Sequence, residues 1–192
     1  MDKQEIIAFF DNRASSWDAE MIRDDGIISQ IFDNAGIREG DTVLDVACGT
    51  GVLLGDYAAR GVKHITAIDI SPEMAKICAA KYPAAEVICG DVEETDFGRT
   101  FDRIMIYNAF PHFPDPERVI ARLSDLLNPG GTLTVAHGMS REKIDCHHQG
   151  TACHVSRGLM SENELSAIFS RNLEVICVIS DEKMYQVTGK KA

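Results

Sequence analysis

Apolar residues recur at helical spacing through the first 36 residues; from residue 42 the pattern changes to short apolar runs alternating with amphipathic segments. Residues 3–13 put Ile6, Ile7, Phe9 and Phe10 on or near one helical face. Ser15-Ser16-Trp17-Asp18 interrupts that face. Residues 20–35 resume it, with Ile22, Ile27, Ile28, Ile31 and Phe32 as candidate core, and Asn34-Ala35-Gly36 ends it. Strands are then predicted at 42–46, 64–69, 86–89, 101–107 and 132–136. Helices fall between them: about 52–60, Ser71-Pro72-Glu73 to about Lys81, and Asp115-Pro116-Glu117 to the break at Asn128-Pro129-Gly130-Gly131. A capping Ser and a Pro in the first turn favour the second of these starts. Residues 137–160 lack regular periodicity. Ser161-Glu162-Asn163-Glu164 has the capping-box pattern and opens a helix to about Arg171. Two strands, near 173–179 and 183–188, close the chain as a hairpin across Ser180-Asp181-Glu182.

Strand and helix alternate up to residue 136, which predicts an α/β fold: a doubly wound, Rossmann-like sheet with helices on both faces. The closing hairpin makes it a seven-stranded sheet, mostly parallel with one antiparallel strand. A length of 192 residues suits a single domain spanning 1–192.

Composition narrows the partners. The net charge is −11 and there is no basic stripe, so nucleic acid and anionic membrane are poor partners for a free monomer. No apolar run approaches ~18 residues, so no membrane span is expected. The start, Met1-Asp2-Lys3-Gln4-Glu5, lacks the basic and apolar regions of a signal peptide. Of the six cysteines, Cys48, Cys78, Cys89 and Cys177 fall inside predicted elements or their turns, where a cysteine is usually a small buried hydrophobe. That is not a disulfide framework, and a reducing cytoplasm is the expected compartment. A homodimer is left open.

The chemistry lies at the strand ends. Val43-Leu44-Asp45-Val46-Ala47-Cys48-Gly49-Thr50-Gly51 reads as strand, small-residue turn and helix start. Its glycines permit a sharp turn and close approach of a ligand, and the following helix offers unpaired N–H groups. No Lys follows Gly51 as in a P-loop, and the third glycine of the dinucleotide fingerprint is missing. Asp45 would repel a pyrophosphate but welcome a cation or an amine. Asp69 ends the second strand, where a carboxylate can accept hydrogen bonds from both ribose hydroxyls of an adenosine. An NAD enzyme uses an acid there in the same way, so Asp69 alone does not separate the two ligands.

The stretch 43–51, with Asp69 and Asp91 at the next two strand ends, resembles motif I and its companion acids in the class I S-adenosylmethionine (SAM)-dependent methyltransferases. Ala47 stands where many members have the first glycine, and Asp-Val-Ala-Cys-Gly-Thr-Gly is similar to the ubiquinone/menaquinone-biosynthesis branch. The resemblance covers about residues 5–136 well and implies a sheet order of 3-2-1-4-5-7-6 with strand 7 reversed. It implies SAM as cofactor, S-adenosylhomocysteine (SAH) as product and a small-molecule methyl acceptor. Ala47, Gly49 and Gly51 would form the cofactor turn. Asp91 would accept from the adenine amine, with the backbone of Val92 meeting the ring. Ile70 and Met74 would wall the adenine, although Met74 could equally be core. Asp45 and Asn108 would flank the amino acid end. Phe9-Phe10-Asp11, Ala14 and Trp17-Asp18 resemble a segment that folds over the cofactor, making 1–36 a helical lid with Trp17 against the ligand. Segment 137–160 would be the acceptor-site loop. Phe110, Phe113, His147 and His148 are candidate acceptor contacts. His112 and His137, after strands 4 and 5, are candidate general bases or packing groups; His137, ending strand 5 itself, is expected nearest the transferred methyl. Cys146-His147-His148 and Cys153-His154 match no standard zinc module, and no metal is assigned to them. Two alternatives are an NAD-linked oxidoreductase, for which Asp91 has no role, and a non-catalytic SAM-binding protein.

Overall fold

The computed structural model describes residues 2–148 and 155–192, with the side chains of 146–148 excluded. Its sheet has the order β3-β2-β1-β4-β5-β7-β6. The strands are β1 (Thr42–Val46), β2 (His64–Asp69), β3 (Glu86–Cys89), β4 (Phe101–Tyr107), β5 (Leu127–His137), β6 (Glu174–Ser180) and β7 (Tyr185–Lys190). β1 to β5 pair in parallel, and β7 runs antiparallel to both its neighbours. Winding runs outward from β1 through β2 to β3, then resumes on the other side with β4. That reversal opens a crevice at the carboxyl ends of β1 and β4, where open α/β sheets hold their ligands.

The central strands are buried on both faces, as their near-continuous apolar runs require. Leu44, Val46, Ile104 and Ile106 face α6 (Pro116–Asp125) and α8 (Glu162–Phe169), which supply Val119, Leu123, Leu165 and Phe169. Alternate residues Val43 and Met105 face α3 (Asp25–Ala35) through Ile28, Ile31 and Phe32, with Tyr57 of α4 (Leu54–Ala59) stacked on Phe32 at 4.8 Å. β3 and β6 are the edge strands, and the burial of β6 alternates as expected for one face in water.

Three of the predicted helix starts carry side-chain caps. Ser71 accepts from Met74 N–H ahead of Pro72 in α5 (Pro72–Lys81), Asp115 accepts from Arg118 N–H, and Ser161 with Glu164 closes a capping box. Three expectations are corrected. The helix expected at 20–35 starts only at Asp25 as α3, because Asp24 caps it through Ile27 N–H, and a single turn α2 (Trp17–Glu20) forms where the sequence predicts a break at Trp17-Asp18. Ile22 falls in the gap and is 73% exposed. The segment 137–160 contains a helix, α7 (Arg141–His148), started by Ser140, whose hydroxyl accepts from Lys143 N–H at 3.4 Å. β5 begins at Leu127, which pairs with Phe101; the register then jumps to Arg103 and Thr132 as the turn 128–131 bulges out.

The remaining helix, α1 (Lys3–Arg13), lies across the strand ends and is tied down by polar contacts. Lys3 pairs with Asp91 and Glu93. Asp11 accepts from the Ser71 hydroxyl and Glu73 N–H. Just beyond α1, Asp18 accepts from Thr50 and pairs with Lys81 at 2.6 Å. No helix among the described residues is long and apolar enough to cross a membrane.

Candidate active site

One cleft lies where the ends of β1, β2 and β4 meet α1. It is lined by Ala47 and Gly49 after β1, Asp69 and Ile70 at the end of β2, Asp91 and Val92 after β3, and Asn108, His112 and Phe113 after β4. Met74 of α5 and Trp17 complete the wall.

The first turn is built on left-handed backbone. Ala47, Gly49 and Gly51 have φ of 54°, 55° and 90°. An alanine pays for that conformation with local strain, which structures retain chiefly at functional sites. The two glycines serve different ends. A Cβ on Gly49 would enter open space, with only Trp17 Nε1 at 3.8 Å. A Cβ on Gly51 would meet the Tyr82 ring at 2.8 Å and Cys78 Sγ at 2.9 Å. Gly49 therefore keeps room in the cleft, whereas Gly51 lets the turn pack on α5 and does not line the cleft.

Asp69 is buried, and each of its oxygens accepts a backbone N–H: Gly49 on Oδ2 at 2.8 Å, Ser71 on Oδ1 at 2.9 Å. Burial raises its pKa to about 6 against the pull of those two bonds, with the Asp11 carboxylate adding to the rise. Each carboxylate oxygen keeps a lone pair for a further donor from the cleft. Asp91 is braced by Lys3 and by Glu93 N–H, which donates to its Oδ1 at 3.0 Å. Asn108, also at φ 54°, accepts from Gly138 N–H at 3.0 Å and so joins the ends of β4 and β5.

His112 sits on a single 3-10 turn, Phe110–His112. Its Nδ1 lies 2.7 Å from the Val155 carbonyl oxygen. A carbonyl only accepts, so Nδ1 carries the proton and Nε2 is the basic nitrogen of the neutral ring.

Four sequence expectations fall elsewhere. Asp45 lies behind the cleft, fully buried in β1, and burial, with Cys78 and Asp69 nearby, pushes its pKa well above the carboxylate range. His137 is buried because the pleat turns it, like Leu133 and Val135, toward the α8 side; its ring packs on its register partner Tyr185 at 6.1 Å. It does not line the cleft and is not the residue nearest a methyl held there. Phe110 belongs to the core, and Phe113 of the same loop reaches the cleft instead. Gly51 packs against α5, as above. The side chains of Cys146, His147 and His148, and all of Cys153 and His154, lie outside the described residues. Among the described residues no three His, Cys, Asp or Glu groups are arranged to hold a metal.

The structure adds lining residues that the sequence did not single out, among them Lys3, Glu93 and Tyr107. Tyr107 could have been found by position, as the last residue of β4. Lys3 and Glu93 carry no local signal; only the docking of α1 brings them together.

A family model described as a methyltransferase domain matches residues 43–131. The chain is 30% identical over 148 residues to a demethylmenaquinone methyltransferase of Renibacterium salmoninarum, covering 71% of this chain and 60% of that protein. Among solved structures, it resembles a SAM-dependent methyltransferase from Aquifex aeolicus (TM-score 0.72, 21% identity, all of both chains covered). It also resembles magnesium protoporphyrin IX methyltransferase from Synechocystis PCC 6803 with bound SAM (TM-score 0.74, 14% identity, 100% and 98% covered). The match spans between 31% and 60% of the length of curated relatives such as the demethylmenaquinone methyltransferase.

Proposed function

We propose that this chain is a class I SAM-dependent methyltransferase that transfers a methyl group from SAM to a small-molecule acceptor, releasing SAH. The observation that carries this is the open space above Gly49, bordered by a buried carboxylate, Asp69, that retains acceptor capacity after binding two backbone N–H groups. That cradle fits an adenosine. When bound, SAM supplies a methyl on a sulfonium, whose carbon–sulfur bond breaks as the acceptor's lone pair takes the methyl.

The chain's own groups bind, orient and shield. Asp69 accepts from the ribose hydroxyls. Asp91 and the backbone of Val92 meet the adenine edge, between Ile70 and Met74. Asn108 serves the amino acid end. Trp17 and Phe113 offer aromatic faces to a cation, worth ~0.5–2 kcal/mol. Where the acceptor must lose a proton, His112 Nε2 takes it. Phe10, Met21, Val52, Tyr107 and Phe113 make the wall largely apolar and aromatic, which suits an acceptor with an apolar or ring-shaped body. Of the expected lid 1–36, helix α1 and Trp17 cover the cleft while α3 packs in the core; the Val155 carbonyl on His112 supports 137–160 as the acceptor wall. A reducing cytoplasm suits the free thiols of Cys48 and Cys78, 3.9 Å apart.

Calorimetry with SAH and with NAD tests the cofactor, and turnover of SAM with a panel of phenolic, amine, carboxylate and thiol acceptors tests the reaction. Micromolar SAH binding, ~7–9 kcal/mol, is expected, with no comparable NAD binding. NAD binding without SAH binding would overturn the proposal. His112→Gln is expected to lower turnover of any acceptor that must lose a proton by about 10²–10⁴-fold, with SAH affinity changed little. An unchanged rate would remove His112 from the chemistry.

The Asp69 pKa sets a pH dependence. Ribose hydroxyls donate to the ionised carboxylate, so the bound state favours ionisation and has the lower pKa. SAH affinity is therefore full above about pH 6 and falls as the pH drops through the free-state value of about 6. The limiting slope is about tenfold per pH unit. Calorimetry from pH 5 to 8 reads it, and the slope should vanish in Asp69→Asn. A flat profile in the unmodified protein would place the ribose away from Asp69.

A further inference from the structure

Helix α1 packs on the candidate base and on the residue that accepts its hydrogen bond. Its Phe10 ring meets the His112 imidazole edge to face, with centroids 5.0 Å apart and planes at 84°. The same ring meets Trp17 at 5.6 Å and 73°. The residue whose carbonyl accepts the His112 Nδ1–H hydrogen bond is covered by α1 too: the Val155 side chain is fully buried among Ile6, Phe9, Phe10 and Ile70. Arg157 ties that segment to the His112 loop, donating from its backbone N–H to Pro111 O at 3.0 Å and from Nη1 to Pro114 O at 2.6 Å. Both the ring and its hydrogen-bond acceptor are thus seated against one helix.

We propose that Phe10 is a positioning residue for His112: with α1 in place it holds the imidazole with Nδ1 on the Val155 carbonyl, so that the basic Nε2 is presented to the cleft only when α1 covers it. This rests on the reading of His112 as proton acceptor. It makes closure and chemistry one event, since the helix that shields the cleft from water also completes the base. It also links the base to the cofactor end of the cleft. The polar ties of the N-terminal segment run to Asp91 and Glu93 after β3, to Ser71 after β2, and to Thr50 after β1.

The test uses the full chain labelled with 15N-histidine, with SAH as the probe ligand. Long-range proton–nitrogen correlations report which ring nitrogen of His112 carries the proton, and His112→Gln assigns the signal. The unmodified protein saturated with SAH is expected to show the Nδ1–H form. Phe10→Leu keeps apolar bulk but removes the flat ring. It should lower the ratio of the Nδ1–H to the Nε2–H form by about two- to tenfold, the size of one aromatic pair. Phe10→Tyr should restore the ratio. A folded Phe10→Leu protein with the unmodified ratio would overturn the proposal, as would an unmodified protein with no preferred form. Should Phe10→Leu fail to fold, Phe10→Met is read by the same criterion. The reading underneath fails differently: a His112→Gln protein that binds SAH and transfers methyl undiminished would remove the base role and leave the tautomer result standing.

Discussion

Asp69→Ala is expected to weaken SAH binding by about 2–4 kcal/mol, roughly 30- to 1,000-fold in Kd, with the fold retained. The size follows from how many donors share one carboxylate. Gly49 N–H and Ser71 N–H both end on it in the free protein, and two ribose hydroxyls would join them. The substitution leaves the hydroxyls without an acceptor and also frees the turn that shapes the cradle. Asp69→Asn keeps one accepting oxygen and should fall between the two. Calorimetry on protein checked for folding by circular dichroism measures it. Unchanged SAH affinity in folded Asp69→Ala protein would place the ribose elsewhere.

The glycines of the first turn should separate stability from binding. Gly51→Ala puts an L-residue at φ 90° and drives its Cβ to 2.8 Å from the Tyr82 ring. Left-handed backbone costs about 1–2 kcal/mol and overpacking about 1–3 more. A loss near 3 kcal/mol lowers Tm by roughly 6–12 °C for a chain of this size. Gly49→Ala carries only the backbone penalty, because its Cβ meets no protein atom nearer than 3.8 Å. That Cβ occupies ligand space, so Gly49→Ala should lose SAH affinity by about tenfold or more while melting only a few degrees lower. Thermal melts and calorimetry on both variants check the crossover. A Gly51→Ala protein that melts like the unmodified one would show that the turn has room the structure does not give it.

The strands and most helices were legible in the sequence because their causes are local. β1, β2, β3 and β4 fall at the predicted residues, since short apolar-rich runs bounded by turn signals mark parallel strands, the half-buried edge strand β3 included. The errors also have local causes. Asp24 acts as a cap inside an apparently continuous apolar pattern, and α7 is too polar for periodicity to reveal.

The sequence by itself determined that three strand ends would present Asp69, Asp91 and Asn108 toward one crevice, because strand order and the right-handed crossover leave them no other place. It could not decide between His112 and His137. Both follow strands, and only the pleat and the pairing with β7 turn His137 onto Tyr185 and away from the cleft. Nor could it tell Gly49 from Gly51, which differ in what stands above them: empty cleft over one, Tyr82 and Cys78 over the other. The ties from Lys3 to Asp91 and from His112 to Val155 span 88 and 43 residues. No local pattern encodes such pairs; they exist because burying Ile6 and Val155 against each other brings α1 and the later loop onto the same strand ends. Residue spacing thus specified the cofactor half of the cleft, while packing between distant segments decided which side chains close it.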